Sequence, residues 1–209
     1  LKEIDNGIFV TGGNFRLKFT NGNSFICDIK ELKLPGDHNK ANAMAAILAA
    51  KIIGLSDELI IKGLNSFKAV EHRIEFVEEI KGVRYFNDSK ATNIDSVYYA
   101  LKSFDEPLLL ILGGLDKGND YNQIKDLIIS KVKKIYAIGS SASKVFEFFT
   151  GLIPVEKRET LQECVLSAYN EALPGDVVLL SPACASFDMF NSYEHRGKVF
   201  KETVRSLLK

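Results

Sequence analysis

Two runs, Leu108–Leu112 and Val177–Leu180, are apolar at every position. Successive side chains of a strand point to opposite faces, so a strand of this composition must be covered on both sides. Around them the chain alternates between short apolar runs and longer segments of helical periodicity. Strands are expected at Phe76–Ile80, Val83–Phe86 and Lys134–Ile138, with a short one near Pro154–Glu156. Helices are expected at about Ile94–Phe104, Tyr121–Ser130, Ala142–Phe149, Thr160–Ala172 and Glu194–Leu208. Strand–helix alternation with short connections implies an α/β fold with a doubly wound, mostly parallel sheet.

That pattern begins at about Val70. Before it, the runs Ile8–Val10, Phe15–Phe19 and Phe25–Ile29 read as strands separated by turns, with Asn21-Gly22 the sharpest hairpin signal. A helix rich in alanine follows from about Asn39 to Ile53, and Ser56 caps a second through about Phe67. This is a thin core for independent life. Residues 1–69 are therefore expected to end a larger domain, with residues 70–209 as a second part of different pattern. Leu1 in place of methionine fits a piece of a longer protein.

Bulk properties exclude several classes. Lys plus Arg and Asp plus Glu both number 27, so no global field draws the chain to nucleic acid or anionic lipid. The longest apolar stretch, Ala43–Ala50, falls well short of the roughly 18–20 residues a membrane helix needs. Cys27, Cys164 and Cys184 share no close spacing, which argues against a disulfide framework or zinc site and for the cytoplasm.

Each strongly apolar strand gives way to a polar loop. Asn87-Asp88-Ser89-Lys90 comes after Val83–Phe86, and Gly113-Gly114-Leu115-Asp116-Lys117-Gly118 after Leu108–Leu112. Gly139-Ser140-Ser141 comes after Lys134–Ile138, and Ser181 through Asp188 after Val177–Leu180. In a parallel sheet these carboxyl ends share one edge, where open α/β folds bind ligands. Glycines let backbone N–H groups approach an anion, and Lys90 and Lys117 add positive charge. Carboxylates or phosphates are the expected guests. No G-x-x-x-x-G-K-[ST] or strand-following G-x-G-x-x-G occurs, so a complete nucleotide phosphate site is not encoded here.

The run Leu34-Pro35-Gly36-Asp37-His38-Asn39-Lys40-Ala41-Asn42, then His72-Arg73-Ile74-Glu75, resembles the ATP-dependent Mur ligases of peptidoglycan synthesis. Asn87–Asn93 (NDSKATN), Leu112–Gly118 (LGGLDKG), Ser181–Asp188 (SPACASFD) and Glu194-His195-Arg196-Gly197 with Phe200 narrow the resemblance to the branch that adds D-glutamate. It covers about Ile29 to the C-terminus. It implies the tail of a central ATPase domain followed by a whole C-terminal Rossmann-like domain. The P-loop, the magnesium ligands and a carbamylated lysine would lie upstream, so no metal ligand is expected here.

The resemblance also implies roles. Asn39 and Asn42 would meet adenine, Arg73 the ATP phosphates, and Asp88 the ribose hydroxyls. Thr92 and Lys117 would hold one carboxylate of D-glutamate, with Ser186 and the Phe187 backbone on the other. Arg73 and Lys117 would serve the reaction most directly. Tyr193 falls where the family commonly has phenylalanine beside the amino acid. The implied partners are ATP with Mg2+, D-glutamate and UDP-N-acetylmuramoyl-L-alanine. ATP would phosphorylate the alanine carboxylate, and the D-glutamate amine would attack the acyl phosphate. The complete protein is expected to be a monomer, and this piece alone to be inert. Two alternatives stay open: a related ligase that adds another amino acid or extends folate, and a non-catalytic nucleotide- or amino-acid-binding module.

Other residues read more plainly. His38 is expected as a capping or turn residue, and His72 and His195 as packed or surface histidines. Cys184 is expected as a small buried group rather than a nucleophile. Phe146, Phe148 and Phe149 read as core with a domain contact, Lys131, Lys133 and Lys134 as a solvated helix end, and Lys90 as a neighbour of the site without a role.

Overall fold

The structure, a computed structural model, describes residues 6–19, 24–32, 37–67 and 70–208, with Asp37 and His38 as backbone only. The Asn21-Gly22 turn, Leu34–Gly36 and the His38 side chain lie outside the described residues. The chain divides into two compact units, Leu1–Ala69 and Val70–Lys209.

In the first unit, strands β1 (Gly7–Thr11), β2 (Asn14–Lys18) and β3 (Ser24–Asp28) form an antiparallel sheet. Gly12 and Gly13, both at positive φ, make the first turn. Phe15, Leu17, Phe25 and Cys27 alternate onto one face and pack against Ala43, Met44 and Ile47 of α1 (Asp37–Ile52) and Ile60 and Leu64 of α2 (Asp57–Ser66). Ser56 caps α2, its hydroxyl accepting from Leu59 N. Asn39 and Asn42 lie one turn apart on α1, Asn39 half-buried and Asn42 exposed.

The second unit has a six-stranded sheet in the order β4-β5-β9-β6-β7-β8. Its strands are β4 (Glu75–Ile80), β5 (Val83–Asn87), β6 (Leu108–Gly113), β7 (Val132–Ile138), β8 (Val155–Lys157) and β9 (Val177–Leu180). All neighbours pair in parallel except β4, which forms an antiparallel hairpin with β5 through Lys81-Gly82, both at positive φ. The chain runs from β5 to β6, outward to β8, and returns to place β9 between β5 and β6.

Helices α3 (Ile94–Lys102), α4 (Lys125–Lys131) and α5 (Ala142–Phe149) cover one face, built on Leu108, Leu110, Leu112, Val177 and Leu179. Helices α6 (Leu161–Glu171) and α7 (Tyr193–Ser206) cover the other, on Leu109, Ile111, Val178 and Leu180. The doubly apolar runs thus serve both layers, and the expected α/β fold is present. Phe149 is core and Phe148 packs against it.

The three lysines do not share a solvated helix end. Pairing of Leu108 with Val132 draws β7 back to Val132, ahead of the expected start at Lys134, so Lys133 joins Lys134 on the strand. There Lys133 Nζ lies 2.7 Å from Asp176. Lys134 Nζ bridges Glu156 at 2.8 Å and Glu171 at 2.7 Å.

Candidate functional site at the carboxyl edge of the sheet

The loop after β5 is bound inward by its own polar groups. Asn87 Oδ1 accepts from Ser89 N (3.1 Å), which turns its Nδ2 toward Glu75 Oε2 (3.0 Å) and His72 Nδ1 (2.9 Å). His72 is therefore a buried structural histidine whose Nδ1 accepts. Gly197 permits this approach, since a Cβ there would stand 2.2 Å from His72 Nδ1.

Asp88 ties three segments together. Its Oδ2 accepts from Ser181 Oγ (2.7 Å), its Oδ1 from Ile74 N (3.3 Å), and its own N–H donates to Leu180 O (2.8 Å). At 5% exposure, burial raises its carboxyl to about 7, against the pull of Ser181, Ile74, Arg73 and Arg196.

A carboxyl raised by burial binds its proton more tightly folded than unfolded. The folded state then holds the extra proton between pH ~4 and 7, and stability falls as pH rises through that window. Asp88→Asn should flatten this slope while leaving stability above pH 7 equal or higher. Urea unfolding of both proteins from pH 4 to 8 checks this; parallel curves would place the titration elsewhere.

Arg73 is exposed, and its neighbours His72 and Ile74 both have positive φ (66° and 43°). A left-handed β-branched residue is costly and persists only where surrounding bonds hold it. Here Lys90 N donates to His72 O (3.0 Å) and Ile74 N to Asp88, so the Arg73 turn is fastened to the loop that carries Thr92. Thr92 is exposed, next to Asn93, whose side chain caps α3 by accepting from Ser96 N (2.9 Å). Lys90 Nζ lies 5.5 Å from the centroid of the half-buried Tyr193 ring.

The loops after β6, β7 and β9 interlock. Gly113 N donates to Pro182 O (2.9 Å) and Gly114 N to Ser141 Oγ (3.1 Å), while Leu115 bridges Ala185. Ser140 N donates to Asp188 Oδ2 (2.8 Å), and Asn119 Nδ2 to Ala183 O (3.0 Å). Asp116 accepts from Asn119 N (2.9 Å) and from Lys144 Nζ (2.6 Å). Lys117, beside it, is exposed and makes no hydrogen bond or ion pair with any described residue.

Ser186 is 2% exposed, its carbonyl accepting from Met189 N and Phe190 N; Phe187 beyond it is 68% exposed. Cys184 is buried at 3.6 Å from Ser141 Oγ, and burial raises its thiol pKa. It is a packed group, as expected.

Thr92, Lys117, Ser186 and Phe187 therefore stand on loops of one edge, with Arg73, Asp88 and Tyr193 on segments bonded to them. Asn39 and Asn42 belong to the first unit. The side chains of Arg73, Thr92 and Lys117 make no hydrogen bond or ion pair with a described residue, although the Arg73 charge acts on Asp88. The edge carboxylates Asp88, Asp116 and Asp188 are each engaged by protein donors, so these residues do not suit magnesium. Sequence reasoning assigned nothing to Arg196, Asn87 or Ser181, although each lay inside a motif it singled out. Their partners are distant in sequence, so only the fold shows what they hold.

The family model described as Mur ligase, glutamate ligase domain matches residues 72–184, which takes in the loops after β5, β6 and β7. The chain belongs to the Mur ligase family. Curated proteins named UDP-N-acetylmuramoylalanine–D-glutamate ligase resemble it along nearly its whole length. The one from Acidobacterium capsulatum is 46% identical over 203 residues, covering 96% of this chain and 44% of that protein. The one from Koribacter versatilis is 44% identical over 205 residues, covering 98% and 45%. This Mur ligase chain thus spans less than half the length of those relatives. Solved structures share the fold at low identity. A pseudomurein peptide ligase type C from Methanothermus fervidus aligns with TM-score 0.68 at 21% identity, over 99% of this chain and 42% of that one. FolC from E. coli in complex with ADP aligns with TM-score 0.68 at 19% identity, over 99% and 48%.

Proposed function

We propose that this chain is the amino-acid-binding part of an ATP-dependent ligase that joins D-glutamate to UDP-N-acetylmuramoyl-L-alanine in peptidoglycan synthesis. The observation that carries the reading is the pair of exposed polar groups, Thr92 and Lys117, without hydrogen-bond partners among the described side chains, on loops of one sheet edge. The relatives' shared name supports the same reading.

Lys117 and Thr92 hold one carboxylate of D-glutamate. Ser186 and the Phe187 backbone hold the other, with Tyr193 alongside. A charged donor and two loop anchors fix the orientation of the amine, and orientation is the main service this part gives an attack on an activated carbonyl. Arg73 offers a planar fork to phosphate oxygens, and Asp88, beside its bonds to Ser181 and Ile74, accepts from a ribose hydroxyl with a remaining lone pair. Asn39 and Asn42 present amides on one face of α1, suited to adenine edges.

Residues 1–69 are read as the end of the ATPase domain and residues 70–209 as the C-terminal domain. Magnesium ligands are placed outside this chain, and the complete protein is proposed to be a cytoplasmic monomer. Among the described residues no helix is long and apolar enough to cross a membrane.

Titration calorimetry of this chain with D-glutamate and ADP should give weak binding, with Kd about 1 mM or above, because each ligand lacks part of its site (about 4 kcal/mol at 1 mM). Micromolar affinity for ATP would favour an independent binding module. Turnover of the complete protein with D-glutamate, L-lysine and D-alanyl-D-alanine decides the substrate; activity confined to either of the last two would overturn the assignment.

A further inference from the structure

Arg196, in the first turn of α7, is 2% exposed, yet no carboxylate of a described residue lies within ion-pair distance of it. Its acceptors are all neutral oxygens. Nε donates to Ser89 Oγ (2.9 Å) and Nη2 to Ser89 O (2.7 Å). Nη1 donates to Cys184 O (3.1 Å) and, at longer range, to Ala185 O (3.4 Å). Ser89 Oγ in turn donates to Tyr193 O (2.8 Å).

The glycine-rich loop closes over the same group, since a Cβ on Gly114 would meet Nη1 at 3.3 Å and Ala185 O at 2.5 Å. One guanidinium thus meets the loops that carry Thr92, Lys117 and Ser186. Lysine has neither the planar fork nor the reach to bind Ser89 and Cys184 together.

The charge matters as well as the fork. Burial lowers the guanidinium pKa to about 10, which leaves it cationic at neutral pH. Asp88 and Asp188 act on it only from a distance. A buried cation without a counter-ion is expensive, and its cost falls when an anion comes to rest nearby.

We infer that Arg196 is a positioning residue for an anionic amino-acid substrate: its fork braces the turns that carry Thr92 and Ser186, and its uncompensated charge makes the rim above them favour a carboxylate. The inference rests on the reading of this edge as the D-glutamate site.

Two variants separate fork from charge. Arg196→Lys keeps the charge and loses the fork; Arg196→Gln loses the charge. Amide hydrogen exchange on this chain should show both variants exchanging at least tenfold faster in residues 88–92, 114–118 and 183–187, with β6 and β9 amides little changed. Unchanged loops, or strands that accelerate as much as the loops, would overturn the brace. In the complete protein, Arg196→Gln should raise the D-glutamate KM at least tenfold and Arg196→Lys by less, with the ATP KM within twofold. Equal rises for both substrates would overturn the charge role. If the wild-type protein does not use D-glutamate, the functional reading fails, and the exchange experiment alone decides the brace.

Discussion

Lys117→Ala, made in the complete protein, should raise the D-glutamate KM about 30- to 150-fold. Truncating one partner of a hydrogen-bonded charge pair costs about 2–5 kcal/mol, and an exposed rim puts this pair near the lower end. At roughly 1.4 kcal/mol per decade, 2–3 kcal/mol gives that range. The ATP KM should stay within twofold. Folding stability should hardly change, because the side chain is exposed and bonds to no described residue. Lys117→Arg keeps the charge and should recover much of the loss. Steady-state kinetics on the three proteins is the measurement, and unchanged D-glutamate dependence in the alanine variant would remove Lys117 from the site.

Gly113→Ala should be strongly destabilising. Gly113 ends β6 at φ 125°, paired in register with Ile138 of β7. A Cβ there would stand 2.1 Å from Ile138 O and 3.1 Å from Ile138 C and N. Those are backbone atoms of a paired strand, so relief requires opening the β6–β7 ladder. Strain and overpacking of this kind cost about 3 kcal/mol or more, a Tm drop on the order of 10 °C for a unit of this size. Gly118→Ala is the control: φ is also positive, at 90°, but nothing lies within 4 Å, so only backbone strain of about 1 kcal/mol applies. Thermal melts of the two variants should differ clearly. A Gly113→Ala protein that melts with the wild type would show that β6 and β7 do not approach so closely.

The sheet was legible because its signals are local. Alternate residues of Leu108–Leu112 reach opposite layers, and Ser56 and Asn93 mark helix starts by side-chain chemistry that acts within three residues. Tertiary pairing decides the rest. Nothing in Val132 or Lys133 announces a strand, because β7 extends past its expected start at Lys134 to meet β6. Nothing near Val177–Leu180 says that this strand enters the middle of the sheet.

The site divides the same way. Loops at one edge follow from the strand pattern, and Thr92 and Lys117 follow from resemblance. The near-complete burial of Ser186 and the grip of Arg196 on Ser89 depend on contacts between segments far apart in the chain.

The late arrival of β9 has a consequence for how the protein is made. On the ribosome, β5 and β6 emerge well before the strand that joins them, so each presents a bare hydrogen-bonding flank in the meantime. Zippering outward from the β4–β5 hairpin stops at that gap, and closure waits for a non-local pairing, the slow kind. A nascent chain halted short of β9 would hold two half-sheets open to neighbours, and chaperone binding should peak there.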